Sequence, residues 1–277
     1  MHFNRLHALA LFVFILMSII SLRSFFATND PVAFHDLAPM YKLEQLFRPY
    51  DSPWDYKSNL GTPSIVNGNM VYNVPLIGLS LAFGSVVFAH KVLLVLLMAF
   101  CGFGFYLAFD YLFHSKTAGF VVGLTLMFNP YTLERWIYGH NTLLLAVMVL
   151  PFCVFFFFKA MKEGSRKFLL ACGLLTALLI AVDPHTAYMF FLFMFLFAIV
   201  DLAVSKRKGI LGRIRFRAFQ VGIIVGVALV GAFPIFYQLA MVNLTVYSVR
   251  AEEAAVSAGD LTFSALPQIA VILCIAM

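Results

Sequence analysis

The chain has 277 residues, of which 62% are hydrophobic and 12% charged, and its mean hydropathy is +0.94. Soluble domains carry about 25% charged residues, so this composition excludes a water-soluble globular enzyme and predicts a helical membrane protein. The net charge of +6 does not imply nucleic acid, because the basic residues sit in short connections between apolar runs, where they set membrane orientation.

The first apolar run, Leu6 to Phe26, is long enough to cross roughly 30 Å of hydrocarbon at about 1.5 Å per residue. It lacks the short core and small-residue cleavage site of a secretory signal and reads as an uncleaved anchor. The segment that follows, 27–74, is polar. It holds Asp30, Asp36, Glu44, Asp51 and Asp55 among the chain's 13 acidic residues. The aromatics Phe34, Tyr41, Phe47, Tyr50, Trp54 and Tyr56 are spaced through it. A long polar segment with that many aromatics predicts a folded active-site loop rather than a disordered linker.

Further apolar runs fall at 76–88, 92–113, 118–128, 142–158, 168–182, 186–204 and 218–241, and a last one starts at Phe263. The last run stops abruptly, which makes the chain read as the N-terminal portion of a larger architecture. Cys101, Cys153, Cys172 and Cys274 all lie in apolar runs without metal-type spacing, and are expected to be small core residues.

Orientation follows from the Lys and Arg distribution. The connection 159–167 carries Lys159, Lys162, Arg166 and Lys167, and 205–217 carries six more basic residues, so both are expected in the cytoplasm. If every apolar run crossed, Arg5 would lie outside and the acidic loop inside. The run at 76–88 is the one expected not to cross, since it follows Pro75, contains Gly78, Ser80, Gly84 and Ser85, and reaches only about 20 Å as a helix. An interfacial helix over 75–89 on the outer side removes the conflict and puts the N-terminus in the cytoplasm. The loop 27–74, the turn 129–141, the tip at Asp183 and the segment 242–262 then share the outer face.

That face offers a definite chemistry. A carboxylate near low-dielectric surroundings has its pKa raised and accepts a proton from a hydroxyl within hydrogen-bond reach. Asp36, beside His35, is placed for that role, and its spacing equally suits a helix cap before Leu37. No metal is assigned by the sequence; Asp30 and Asp36 are the candidates for Mg²⁺ or Mn²⁺, with Asp51 and Asp55 as further carboxylates, and Asn29-Asp30-Pro31 and Asp51-Ser52-Pro53 are more simply ordinary turn chemistry. Trp54 suits either an interfacial anchor or a sugar-stacking platform. Arg135, His140, His185 and Arg250 lie at the outer ends of different runs, where guanidinium and imidazolium groups suit a lipid phosphate, or simply a snorkelling position.

Several stretches resemble one family. His35-Asp36-Leu37 with Met40-Tyr41, Tyr72-Asn73-Val74-Pro75-Leu76, Tyr138-Gly139-His140-Asn141, Asp183-Pro184-His185-Thr186 and Tyr247-Ser248-Val249-Arg250 are similar, in order, to motifs of the GT-C superfamily. These are polytopic glycosyltransferases that use lipid-linked sugars. The likeness is greatest to the bacterial lipoteichoic-acid glycosylation membrane proteins and more distant to the mycobacterial arabinofuranosyltransferases. The chain departs from that branch at His35, where Gly is usual, and at Asp183-Pro184-His185, where the His-Pro order is reversed.

The resemblance implies an all-α transmembrane bundle in the cell membrane with a large first outer loop. It implies a polyprenyl-phosphate sugar donor, a glycan or lipid acceptor, inversion at the anomeric carbon, Asp36 as the base and no organic cofactor. Two other readings stand beside it. A transporter or flippase for lipid-linked sugars needs polar groups deep inside the bundle, and a non-catalytic membrane scaffold needs none.

Overall fold

The computed structural model describes residues 5–30, 42–44, 46–47, 54–55, 62–63, 69–138, 141–204 and 217–233. Its architecture is all-α. The helices are α1 (Arg5–Ser21), α2 (Arg23–Phe26), α3 (Asn69–Phe83), α4 (Val86–Phe113), α5 (Lys116–Met127), α6 (Pro130–Tyr138), α7 (Asn141–Glu163), α8 (Arg166–Val182) and α9 (Pro184–Val204), followed by α10 (Arg217–Phe233). The one extended pairing among the described residues is antiparallel and two residues long, Trp54–Asp55 (β1) against Thr62–Pro63 (β2). All these elements belong to one unit, Met1–Ile235.

Three helices are long and apolar enough to cross a membrane, Val86–Phe113, Asn141–Glu163 and the Pro184–Asp201 part of α9, which is the arrangement of a multi-pass membrane protein. Their outer surfaces suit lipid. Tyr188, Met189, Phe195 and Val200 on α9 and Phe12 and Ile20 on α1 are exposed apolar side chains. An aqueous surface would not tolerate such continuous apolar faces.

The centre of the bundle is α4, and α1, α3, α5 and α7 all pack on it. Close approach to α5 depends on small residues. A Cβ at Gly119 would meet the Tyr106 carbonyl oxygen at 2.6 Å, and one at Gly123 would meet the Gly102 carbonyl oxygen at 2.6 Å. Only hydrogen atoms fit there, so the two backbones pack directly, as small residues permit between membrane helices. Phe14 of α1, 0% exposed, fills the notch beside Gly102 and Gly123, and its ring lies 5.4 Å from that of Phe120.

These contacts also fix directions. Gly119 opposes Tyr106 and Gly123 opposes Gly102, so α5 runs antiparallel to α4 and its last residue, Met127, is still level with the middle of α4. Pro151 lies on Gly104 and Lys162 on His114, so α7 runs parallel to α4. Cys172 on Cys153 makes α8 antiparallel to α7. One end of the bundle therefore carries Lys91, Asn141 and Asp183, and the other carries Arg5, Asp110, Lys116, Lys159 and Arg217.

Helix boundaries follow local signals. The apolar run at 76–88 is split: α3 begins earlier, at Asn69, and ends at Phe83. Gly84 takes a left-handed φ of 68°, a conformation that only glycine adopts without cost. Ser85 then caps α4, its Oγ accepting from the Phe88 amide at 3.2 Å. The helix expected over 75–89 is thus Asn69–Phe83, and Phe88 belongs to α4. Residues 130–138, expected as part of a turn, form a helix, because the Asn129 carboxamide oxygen accepts from the Thr132 amide at 2.9 Å and caps it.

Candidate functional site

At the Lys91 end, two basic residues sit side by side within the first two turns of an otherwise apolar helix. Lys91 is 3% exposed and His90 6%. The Lys91 ammonium donates to the Thr28 carbonyl oxygen at 2.6 Å. That is its one hydrogen bond among the described residues, leaving two N–H groups of a buried cation without an acceptor among those residues. A cation kept from water in this way calls for an anionic or strongly polar neighbour.

The surrounding groups are of the same kind. Tyr72 of α3 meets His90 edge to face with ring centroids 6.0 Å apart, and Asn73 donates to the Leu46 carbonyl at 3.3 Å. The Tyr72 hydroxyl, Asn73 Oδ1, His90 Nε2 and, on α7, Asn141 Oδ1 are buried polar atoms without a hydrogen-bond partner among the described residues. Native interiors rarely leave such atoms unsatisfied, and where they do a ligand or function is a usual reason. Burial pushes the Tyr72 phenol above its ordinary range, so it is a neutral donor at working pH. The hydrogen bonds to Thr28 and Leu46 also tie the 27–74 segment to α3 and α4 at two points.

Among residues expected at the site, Arg135 lies on α6, its guanidinium 4.9 Å from the Tyr131 ring centroid. Its Nε is buried and has no hydrogen-bond partner among the described residues. His185 is at the first turn of α9 with a side chain 97% exposed, its Nδ1 3.5 Å from Asp183. Asp183 itself caps α9, accepting from the Thr186 amide at 3.0 Å and from the Thr186 hydroxyl. Asp30 is exposed, two residues beyond Thr28. Asp30 and His185 thus lie at the Lys91 end, and no hydrogen bond or ion pair joins any two of Asp30, Arg135 and His185. Trp54 lies in β1, and its side chain falls outside the described residues, as do His35, Asp36, His140 and Arg250.

No family model matches the chain, nor does any curated protein or solved structure. The reading of the site rests on its own chemistry.

As for metals, no group of three or more His, Cys, Asp or Glu that could hold an ion occurs among the described residues. The groups that sequence reasoning passed over are His90, Lys91, Tyr72 and Asn141 as polar lining. A signal was present for the first two. Charged residues within an apolar membrane helix are costly and mark functional positions, and His90-Lys91 interrupts the chain between two apolar runs. Tyr72 and Asn141 had no such signal, since their burial depends on how α3 and α7 meet α4.

Proposed function

We propose that the protein is a membrane glycosyltransferase that moves a sugar from a polyprenyl-phosphate donor to a hydroxyl acceptor on the extracytoplasmic face. Lys91 carries this reading. It is a buried cation bonded to Thr28 at the root of the acidic segment, Thr28 standing eight residues before Asp36, and it is flanked by hydrogen-bonding groups without a partner among the described residues. A lipid-linked sugar brings the complementary parts, a phosphate for the ammonium and hydroxyls for Tyr72, Asn73 and Asn141.

Asp36 takes the proton of the acceptor hydroxyl as its oxygen attacks the anomeric carbon. The bond from that carbon to the phosphate oxygen breaks with inversion, and the lipid phosphate leaves with the bonding pair. Lys91, with Arg135 and Arg250, stabilises the charge that gathers on the departing phosphate. The N-terminus and the basic connections are cytoplasmic in this arrangement. Lys91 lies about 8 Å along α4 from its start, closer to headgroup depth than to the midplane. That position suits transfer at a surface better than passage through the bundle.

The deciding experiment supplies the purified chain in lipid nanodiscs with radiolabelled polyprenyl-phosphate sugars and a glycan or lipid acceptor. Product from the wild type, lost in Asp36→Asn with insertion intact, is the expected result. Full activity in Asp36→Asn removes that carboxylate from the mechanism. Movement of donor between leaflets without product identifies a flippase, and binding without turnover a scaffold.

A further inference from the structure

At the opposite end of the bundle lies an open cleft of about 670 Å³ lined by Asp110, Tyr111, His114, Lys116, Lys159 and Glu163. It has no part in the transfer chemistry. Lys159 is 7% exposed, and its ammonium rests 4.2 Å from the Phe168 ring centroid and 5.6 Å from that of Phe155. The two aromatic faces hold the cation in place, yet neither Lys159 nor Lys116 makes an ion pair or hydrogen bond with any described residue. Two carboxylates share the wall, Asp110 and Glu163, and Glu163 accepts from the Tyr111 hydroxyl at 3.3 Å. Lys162 adds a third ammonium at the rim, 3.2 Å from His114 Nε2.

A second feature adjoins the first. An apolar groove of about 290 Å³ shares Tyr111 with the cleft and is lined by Leu112, Phe158, Met161 and Phe197, with Lys162 and Arg217 at its edge. Arg217 is already paired with Asp201 at 3.0 Å, so the excess charge at the cleft is the one positive charge by which Lys116, Lys159 and the rim Lys162 outnumber Asp110 and Glu163, and the apolar surface belongs to the groove.

We propose that this pair of sites binds one anionic phospholipid, its phosphate between Lys159 and Lys116 and one acyl chain along Phe158 and Phe197. The class of ligand follows from charge and shape together. Two ammonium groups lining one cleft offer charged donors to phosphate oxygens, the adjoining groove takes hydrocarbon, and clefts between membrane helices beside basic connections are suited to anionic headgroups. A zwitterionic lipid gains less, because its own ammonium meets Lys159, Lys116 and Lys162 as well.

Native mass spectrometry of the full chain, titrated with phosphatidylglycerol, phosphatidylethanolamine or phosphatidylcholine, tests this. Phosphatidylglycerol should bind at least about tenfold more tightly than the other two, the worth of one charge-assisted hydrogen bond. Lys159→Met should remove that preference, and Lys159→Arg should keep most of it, which separates lost charge from misfolding. Inorganic phosphate at millimolar concentration should displace the lipid poorly, because it leaves the groove empty. Equal binding of the three lipids by the wild type would overturn the proposal. So would a preference that survives Lys159→Met with Lys116→Met, or inorganic phosphate that competes as well as lipid. The readout is binding alone, so it is independent of whether the chain transfers sugar.

Discussion

Lys91 in α4 donates to the carbonyl of Thr28, 63 residues away in sequence, across 2.6 Å. This contact pins the exit of the first helix to the central helix, and it places the most buried Lys or Arg among the described residues at the start of the chain's most acidic segment. Lys91→Met removes the charge and the tether together. It should lower transferase activity by about 10²-fold or more, as loss of a donor to developing charge does, while Lys91→Arg retains part of it. Initial rates with a labelled polyprenyl-phosphate sugar in nanodiscs measure the difference, and full activity in Lys91→Met would exclude a phosphate-binding role.

His185 supplies the contrasting case. Its side chain is 97% exposed beside Asp183, so His185→Ala should leave transfer rates within about twofold of wild type, in line with the small effects of surface substitutions. A tenfold loss would place His185 in contact with substrate.

Asp183 has a structural role that its neighbour lacks. Because it caps α9 through the Thr186 amide, Asp183→Ala should cost about 1 kcal/mol of stability and Asp183→Asn much less. Thermal denaturation in one detergent, with both variants side by side, gives the comparison. Equal losses in the two would show that charge rather than capping matters there.

The contact of α4 with α5 tolerates no side chain at Gly123, where a Cβ would meet the Gly102 carbonyl oxygen at 2.6 Å and Phe14 Cζ at 2.7 Å. Gly123→Val should destabilise the bundle by about 1–3 kcal/mol, the usual range for overpacking a dense core. Gly78, with nothing within 4 Å of its Cβ position, is the control, and Gly78→Ala should fall near zero or be slightly stabilising, since it lies inside α3. Midpoints of unfolding in the same detergent distinguish them.

Arg217 holds together the ends of three helices. It donates to Asp201 Oδ2 at 3.0 Å, to Gln220 at 2.9 Å and to the Met161 carbonyl. Arg217→Met should lower stability by about 1.5–3 kcal/mol, the range for hydrogen bonds to charged groups. The pair is partly exposed, and screening places the loss toward the lower figure. Proteolysis in detergent would report it as faster cleavage, and an unchanged rate would show that the three bonds are replaceable by water.

Much of this was legible in the chain itself. Composition alone gave a helical membrane protein, because so apolar a sequence can satisfy its backbone in lipid only by forming helices or a closed barrel. The basic connection at 159–167, with Arg217, marked one end of the bundle, and Pro, Gly and Ser marked most helix ends, since their backbone preferences act locally. The Gly84-Ser85 break was written in the sequence, but its effect on where α3 ends required the left-handed φ at Gly84 to be seen.

The tertiary structure decided what distance along the chain conceals. Which polar groups are buried is a property of neighbours, so Tyr72, Asn141 and Lys159 gained their meaning only when α3, α7 and α8 were packed. The glycines at 102, 119 and 123 read as ordinary apolar-run residues until two backbones met across them. Hydrophobic patterning specifies that a helix is made and roughly where it stops, because those forces act within a few residues. The Lys159 ammonium meets Phe155 within its own helix, four residues back, but its closer contact with Phe168 joins separate helices, and only their packing supplies it.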